Sequence, residues 1–476
     1  MKKITILTYL FLILACFIST AQTTVYVSAS GGGDGTSESS PLGNFGNALN
    51  QITSEGDKLV IIGTISTQGI NLTSKSFAFT IEGLDASSTF EGDGGTSRLF
   101  TINNPTSADV TFKNLTFLDN NTTLAGGGVF FNNIAGATAT FENCTFSGNS
   151  VTNNAGGGAI YSSNGSLTIT DCVFENNTSS DKGGAIVAGN SVNVNISGSL
   201  FNGNSATRGG AIAVTGNNVD FVLDTSTFVN NTVSSFGGGA LYLGGNNANS
   251  SITNTTIFNN SVTYTSLNQS RGGGILIEGA RPFTITNSLI YGNIVSDGNG
   301  TAASDIGGPP AVELTLNNSI TQKIEPVLVS VGDGGNDVFS TSITDANLSA
   351  SNLAFNATSG YVEYNTVDEG TDSPIDFGSD GNDVGAWNSG LTLSLDEVLK
   401  SNVSIYMNND SKTIEINHDL DQSLSVKLFT ILGSSVMEVK NVSKTAILNV
   451  NQLKTGVYIL VGKSSGKYFS KKLLIN

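Results

Sequence analysis

Two short motifs alternate along this chain at a nearly constant distance. Gly-Gly followed by two small or apolar residues recurs six times, beginning at positions 127, 157, 183, 209, 238 and 272. Between and around the copies stands Phe-x-x-Asn, with Ile in place of Phe in the last two units. The closing Asn residues lie 27 to 33 positions apart: Asn120, Asn149, Asn177, Asn204, Asn231, Asn260 and Asn293. A constant period of about 20–50 residues indicates a repeat architecture in which each unit stacks on the next.

The residues before each Phe follow a pattern typical of short strands. A large apolar residue stands five positions earlier in every unit, and mostly polar residues alternate with it. Three positions before each Phe stand residues that favour turns: Asn114, Asn143, Asp171, Gly198, Thr225, Asn254 and Asn287. The pattern predicts three short strands per period, and the third strand begins at the Gly pair.

Three short strands cannot bury their inner faces alone, but the coils of a solenoid bury them against each other. Equivalent residues of adjacent coils then lie about 4.8 Å apart, so that Phe stacks on Phe and Asn on Asn. A column of Asn side chains would satisfy the amides of the buried turns. The repeats therefore predict an all-β fold. The composition agrees, since charged residues make up only 12% of the chain.

The net charge limits the possible partners of the protein, and the start of the chain indicates its compartment. A charge of −17 argues against nucleic acid as a partner, because both molecules are acidic. Two Lys residues precede a short apolar run, which ends in small residues before Gln22. This pattern predicts a secretory signal at 1–21 that is cleaved after Ala21, with lipid attachment at Cys16 as the rival interpretation.

The two repeat motifs resemble those of polymorphic outer-membrane proteins and, more broadly, of pectate-lyase-like right-handed parallel β-helices. The stretch 23–64 is similar to the N-terminal cap of such helices, which would place a short helix near Phe45–Ile52. The stretch "SPIDFGSDGNDVGAW" (373–387) is similar to the end of many secreted bacterial β-helix domains. The resemblance implies a right-handed parallel β-helix over 22–390.

The last part of the chain differs in amino-acid composition. The Gly-rich pattern stops near 401, Lys becomes frequent, and the segments "LFTILGSSV", "LKTGVYIL" and "KKLLIN" follow in order. They resemble the C-terminal sorting domain of type IX secretion. The resemblance implies a small β-sandwich at 401–476, after a linker at 391–400, that the secretion machinery recognises. It also implies a protein that is secreted or attached to the outer surface of a Gram-negative bacterium.

Three functions of different classes fit such a helix. The resemblance to pectate lyases allows a polysaccharide lyase or a glycoside hydrolase, which needs paired carboxylates or a cationic base beside calcium. The outward columns bring Glu142 next to Lys113, which is more typical of a surface ion pair, and they join no acidic cluster to a base. The sequence therefore favours a non-catalytic protein and identifies no catalytic residue. A purely structural surface protein is a further alternative.

A carbohydrate-binding or adhesin-type module is the function that the sequence favours. An outward column beyond the Gly pairs would place Phe131 beside Tyr161, with Tyr242 farther along, and exposed aromatic faces can hold sugar rings. Lys182 and Arg208 each stand just before a Gly pair, so they would stack on adjacent coils and anchor an anionic sugar. An extracellular glycan is therefore the expected partner. Loop packing over the column and a charged rim on the turns are the alternative interpretations.

Cys144 and Cys172 each stand two positions before a Phe, so we expect both to face inward on adjacent coils. An α-carbon distance of about 4.8 Å lies within the range of a disulfide, whereas parallel side chains oppose the required dihedral angle. The oxidising compartment favours a bond, and two buried thiols are the alternative. Calcium is the one cofactor considered, at the acidic loops 332–337 and 379–383, which turn formation alone also explains.

Overall fold

The computed structural model describes residues 22–339 with short gaps, two strands between 353 and 364, and residues 403–475 with short gaps. The predicted signal segment, the linker and both candidate calcium loops lie outside the described residues. The chain divides into two compact units, Met1–Trp387 and Asn388–Asn476. The domain bounds inferred from the sequence stay predictions.

The first unit is a parallel β-helix, as the repeats predict. Strands are numbered in chain order. Sheet A contains β1 (Thr24–Ser28), β2 (Lys58–Ile62), β5 (Phe79–Gly83), β8 (Val110–Lys113), β12 (Thr138–Glu142), the second half of β15 (Ile160–Thr170), β19 (Val192–Ser197), β23 (Asp220–Asp224), β27 (Ser251–Thr253), β31 (Phe283–Thr286), β36 (Glu313–Asn317) and β39 (Leu328–Val331). Sheet B contains β3 (Thr64–Ser66), β6 (Thr89–Glu91), β9 (Thr116–Leu118), β13 (Thr145–Ser147), β16 (Val173–Glu175), β20 (Leu200–Asn202), β24 (Thr227–Val229), β28 (Thr256–Phe258), β32 (Leu289–Tyr291), β37 (Ile320–Thr321) and β40 (Val338–Phe339).

Two more sheets complete the coils. Sheet C, which begins at the Gly turns, contains β4 (Ile70–Asn71), β7 (Phe100–Ile102), β11 (Val129–Asn132), the first half of β15, β18 (Ile186–Ala188), β22 (Ile212–Val214), β26 (Leu241–Leu243), β30 (Ile275–Ile277), β35 (Ile306–Gly307) and β38 (Ile324–Glu325). Sheet D contains β10 (Asn121–Thr122), β14 (Ser150–Val151), β17 (Thr178–Ser179), β21 (Ser205–Arg208), β25 (Thr232–Gly237), β29 (Ser261–Thr263), β33 (Ile294–Asp297) and β34 (Gly300–Ala303).

Sheet D corrects the prediction of three strands per coil. The segment after each closing Asn, predicted to be a variable loop, contains a fourth short strand. The backbone N–H of Ser150 donates to the Asn120 carbonyl at 2.8 Å, and that of Thr178 donates to the Asn149 carbonyl at 2.9 Å. These contacts involve the backbone alone, so side-chain periodicity gives little sign of them.

Aromatic rings fill the interior in register. The rings of Phe117, Phe146, Phe174, Phe201 and Phe228 stack with centroid distances of 4.4, 4.8, 4.7 and 4.4 Å along the column. The seven predicted turn residues between sheets A and B all have positive φ, from Asn114 at 53° to Asn287 at 48°. The repeat therefore positions both the core side chains and the turns that separate them.

The predicted Asn column is a continuous chain of hydrogen bonds. Asn177 is representative: its Nδ2 donates to the Phe146 carbonyl and to Asn204 Oδ1, each at 3.0 Å, and its Oδ1 accepts from Asn149 N at 3.1 Å. At the end of the Asn column, Asn293 Nδ2 donates to a carboxylate oxygen of the fully buried Asp305 at 2.8 Å. An acceptor-only group thus closes the column.

A short helix covers the N-terminal end, as predicted. Helix α1 (Phe45–Gln51) begins at Asn44, whose side chain accepts from Asn47 N at 2.8 Å. The Phe45 ring lies edge-on to Phe90, with the centroids 5.4 Å apart. Lys75 Nζ donates to two carbonyl groups at the helix C-terminus, at 2.7 and 2.5 Å. The helix thus closes the open end of the core.

The second unit contains two antiparallel sheets. One is formed by β43 (Val403–Asn408), β44 (Thr413–His418) and β47 (Thr445–Asn449); the other by β45 (Leu424–Thr430), β46 (Ser435–Val442), β48 (Gly456–Ser464) and β49 (Lys467–Ile475). Side chains from both sheets share one hydrophobic core, as in a β-sandwich. No helix in the described part of the chain is long and apolar enough to cross a membrane.

Candidate functional site

The predicted outward column lies on sheet C, directly after the Gly turns. The register pairs Phe130 with Tyr161, whereas Phe131 pairs with Ser162. Phe131 is 0% exposed and belongs to the interior core. The prediction that Phe131 faces outward is therefore wrong by one position, and Phe130 takes its place beside Tyr161.

The error comes from the run of three glycines at 126–128, which allows two alignments with the later Gly pairs. The structure selects between them by backbone conformation. Gly126 and Gly157 both have a φ of 70°, and an added Cβ would lie 2.3 or 2.4 Å from a carbonyl oxygen. Only Gly fits such a position. The true pair in this coil therefore begins at 126.

Phe130 and Tyr161 form one end of a line of cationic and aromatic side chains. Their rings stack with centroids 5.7 Å apart, and the Arg98 guanidinium carbon lies 4.2 Å from the Phe130 centroid. Burial, and then the nearby Asp181 carboxylate, raise the pKa of Tyr161. The Arg98 guanidinium group therefore covers one face of the Phe130 ring, so the two rings are not open to a ligand on both faces.

Lys182 and Arg208 lie on adjacent coils, which confirms their predicted stacking. Lys182 Nζ lies 3.6 Å from an Asp181 carboxylate oxygen. The Arg208 guanidinium carbon lies 4.0 Å from the Phe236 centroid and 5.7 Å from that of Tyr242. Arg98 and Arg208 are thus both placed on aromatic rings. We call the line formed by Arg98, Phe130, Tyr161, Lys182 and Arg208 the cationic ledge.

Tyr242 lies beneath this ledge and is only 7% exposed, so the prediction of an exposed ring is wrong. It packs in a small cluster with Val187, Ala213 and Leu276, which occupy the same outward column. Its hydroxyl donates to Glu278 Oε2 at 2.6 Å. Burial, and then this hydrogen bond, raise the pKa of Tyr242 to about 12. Tyr242 is therefore a neutral donor that supports Arg208 from below.

Two hydrogen-bond donors on the ledge lack acceptors. Arg98 Nε and Arg208 Nε are both buried, and neither has a hydrogen-bond partner in the described part of the protein. Four coil steps separate these arginines, so the ledge extends for about 19 Å along the solenoid.

Sequence reasoning missed Arg98, Asp181 and Glu278. The repeat motif does not mark Arg98, because Ser97 and Arg98 stand where the next coil has its Gly pair, and the Gly pair at 94–95 falls earlier in the sequence. The alignment of Phe100 with Val129 in the sheet would have identified its position. Glu278 follows its strand by one residue, where the periodic pattern has ended.

The outer face of sheet A carries ion pairs rather than a catalytic pair. Lys113 Nζ lies 2.9 Å from Glu142 Oε2, and Lys58 Nζ lies 2.6 Å from Glu82 Oε2. The predicted contact between Lys113 and Glu142 is thus confirmed. Among the described residues, no group of three His, Cys, Asp or Glu side chains could hold a metal ion. Calcium at the acidic loops stays a prediction.

The two cysteines lie in one inward column, as predicted. The backbone N–H of Cys144 contacts Cys172 Sγ at 3.4 Å, and both residues are buried. The structure has them as free thiols. Burial raises the pKa of Cys144 well above its usual value, which disfavours the reactive thiolate in the folded protein. Whether the exported protein forms the bond stays a prediction.

Comparison with known families agrees with both units. Residues 404–476 match the secretion system C-terminal sorting domain. Residues 143–163 and 171–189 match the Chlamydia polymorphic membrane protein repeat. No curated protein is significantly similar to the chain. The chain is therefore a secreted or outer-surface parallel β-helix protein of a Gram-negative bacterium, with repeats of the polymorphic membrane protein type and a type IX secretion sorting domain at its C terminus.

Proposed function

We propose that the solenoid is a non-catalytic adhesin-type module that binds an acidic extracellular glycan along the cationic ledge. The observation that supports this most is the placement of the Arg98 and Arg208 guanidinium groups on aromatic rings, with no carboxylate partner for either among the described residues. A guanidinium group without such a partner can form charge-assisted hydrogen bonds with a carboxylate or sulfate oxygen of a ligand. Such oxygens recur along acidic polysaccharides.

The charge distribution favours the same class of ligand. The chain as a whole is strongly acidic, with a net charge of −17. Lys58 and Lys113 are paired with carboxylates on sheet A, and Lys75 caps helix α1. Arg98 and Arg208 instead contact aromatic rings, which attract a cation without neutralising it. Lys182 on the ledge is paired with Asp181, so Arg98 and Arg208 are the cations of the ledge that have no carboxylate partner among the described residues.

Titration calorimetry of the full mature chain with a polyuronate and with the neutral glycan of the same linkage tests the proposal. We expect binding of the acidic polymer alone, weakened by salt because the contacts are ionic. Arg208→Gln should weaken it by about 10- to 100-fold, since a hydrogen bond to a charged group contributes about 1.5–3 kcal/mol. Lys113→Gln removes a cation from sheet A and is the matched control.

Two outcomes would contradict the proposal. Equal affinity of the Arg208→Gln and Lys113→Gln variants would show that the ledge does not bind the polymer. The appearance of shorter products during incubation would instead support the alternative of a polysaccharide lyase or hydrolase.

A further inference from the structure

The outer face of sheet B changes character along the solenoid. In each three-residue strand the middle residue points into the core and the two flanking residues point outward. One outward residue per strand is apolar in β16, β20, β24 and β28, and both are apolar in β32: Val173, Leu200, Val229, Phe258, and Leu289 with Tyr291. Their burial changes along the column, because Val173 and Leu200 are partly exposed whereas the residues from Val229 onward are buried.

These late outward side chains are removed from water. Val229, Phe258, Leu289 and Tyr291 are between 0% and 8% exposed. None of them belongs to the hydrophobic core inside the coils, which contains their inward neighbours such as Ile257. An apolar patch of this size on the outside of a sheet indicates a further layer of protein over it.

The chain itself provides a matching surface. Strands β41 (Leu353–Asn356) and β42 (Tyr361–Tyr364) pair antiparallel, with Leu353 opposite Tyr364 and Phe355 opposite Val362. All four of these paired residues are large and apolar in the sequence. A hairpin of two strands is only marginally stable in water, so this one needs a partner.

The path of the chain brings the hairpin to the patch. Strand β40 is the last described strand of sheet B and lies at the edge of this sheet. The 340–352 segment that follows can span up to about 43 Å when extended, whereas β28 and β32 lie only about 10–15 Å from β40. We propose that the hairpin 353–364 packs on the outer face of β24, β28 and β32.

Photocrosslinking in the full mature chain tests this docking. Phe258→p-benzoylphenylalanine puts an aromatic crosslinker in the middle of the patch with little change in shape. We expect one intramolecular crosslink, which mass spectrometry of the digested monomer would locate within 353–364. Ser147→p-benzoylphenylalanine is the matched control, because Ser147 occupies the same outward column four coils earlier and should give no crosslink to the hairpin.

Each other result overturns the proposal. A crosslinked dimer would show that a second copy covers the patch. A crosslink to any other segment, or none, would show that the hairpin does not lie there. As a second measurement, Phe355→Asp with Val362→Asp should increase binding of an apolar dye to the folded protein, and unchanged dye binding would count against the docking.

Discussion

Phe174→Ala is expected to destabilise the solenoid by about 3–5 kcal/mol, the range for a fully buried Phe. The Phe174 ring is 0% exposed and lies between two parallel rings, with centroid distances of 4.8 Å to Phe146 and 4.7 Å to Phe201. Removing it leaves a cavity between two flat surfaces. The coils above and below are held apart by their ladder of backbone hydrogen bonds, so they cannot collapse into the space.

Urea unfolding of the mature chain, followed by circular dichroism, measures this cost. The midpoint should fall while the slope with denaturant stays constant, since the same surface is exposed on unfolding. Leu124→Ala is the control: Leu124 is 44% exposed, and its removal should change the free energy by less than about 0.5 kcal/mol. A loss below about 1 kcal/mol for Phe174→Ala would mean that the stacked column does not stabilise the fold as argued.

Four further expectations follow from the same contacts. Asn177→Ala should cost about 1–3 kcal/mol by urea unfolding, because it leaves donors and acceptors of the adjacent coils unpaired; an unchanged midpoint would contradict this. Burial raises the pKa of Asp305 from 3.8 to about 6. The stability that protonated Asp305 contributes is therefore complete below about pH 3.8 and is lost, by about 3 kcal/mol, as the pH rises through 6. Asp305→Asn should remove this part of the pH dependence of stability, and identical pH profiles of the two proteins would refute the expectation. Deletion of 401–476 should leave the protein in the periplasm, as fractionation would show, and surface display of that truncation would refute a sorting role for the tail. Buried Cys144 and Cys172 should resist thiol labelling until the unreduced protein is unfolded; labelling then counts free thiols, and rapid labelling of the folded protein would contradict their burial.

The sequence predicts most of the solenoid because its period is expressed by side chains. Each Phe and each Asn occupies the same place in every coil, so counting from one unit locates the next. The prediction fails where the repeat can be aligned in two ways, or where a strand is not marked by any side-chain pattern. Three consecutive glycines at 126–128 allowed Phe131 to be exchanged for Phe130, and the short strands of sheet D are held by backbone groups that any residue supplies.

The ledge was predicted only in part, for a related reason. Lys182 and Arg208 precede Gly pairs, so the repeat located them on adjacent coils. Arg98 precedes none, and only the strand register brings it onto the Phe130 ring. The burial of Tyr242 depends on its neighbours in the column and on the guanidinium of Arg208, which are properties of several coils together rather than of one unit.

The Asn column also has a direction, which explains the residue at its end. Each Asn accepts from the preceding coil and donates to the following one, so the final Asn needs an acceptor that has no N–H group of its own to pair. Asp305 meets this need: one carboxylate oxygen accepts from Asn293 N and Nδ2, and the other accepts from Gln322 N at 2.6 Å and Lys323 N at 3.1 Å. An Asn at 305 would turn an NH₂ group toward two N–H donors. The carboxylate is therefore the residue type that lets the ladder stop, and it lies 12 residues after Asn293 instead of a full period because the repeat ends there.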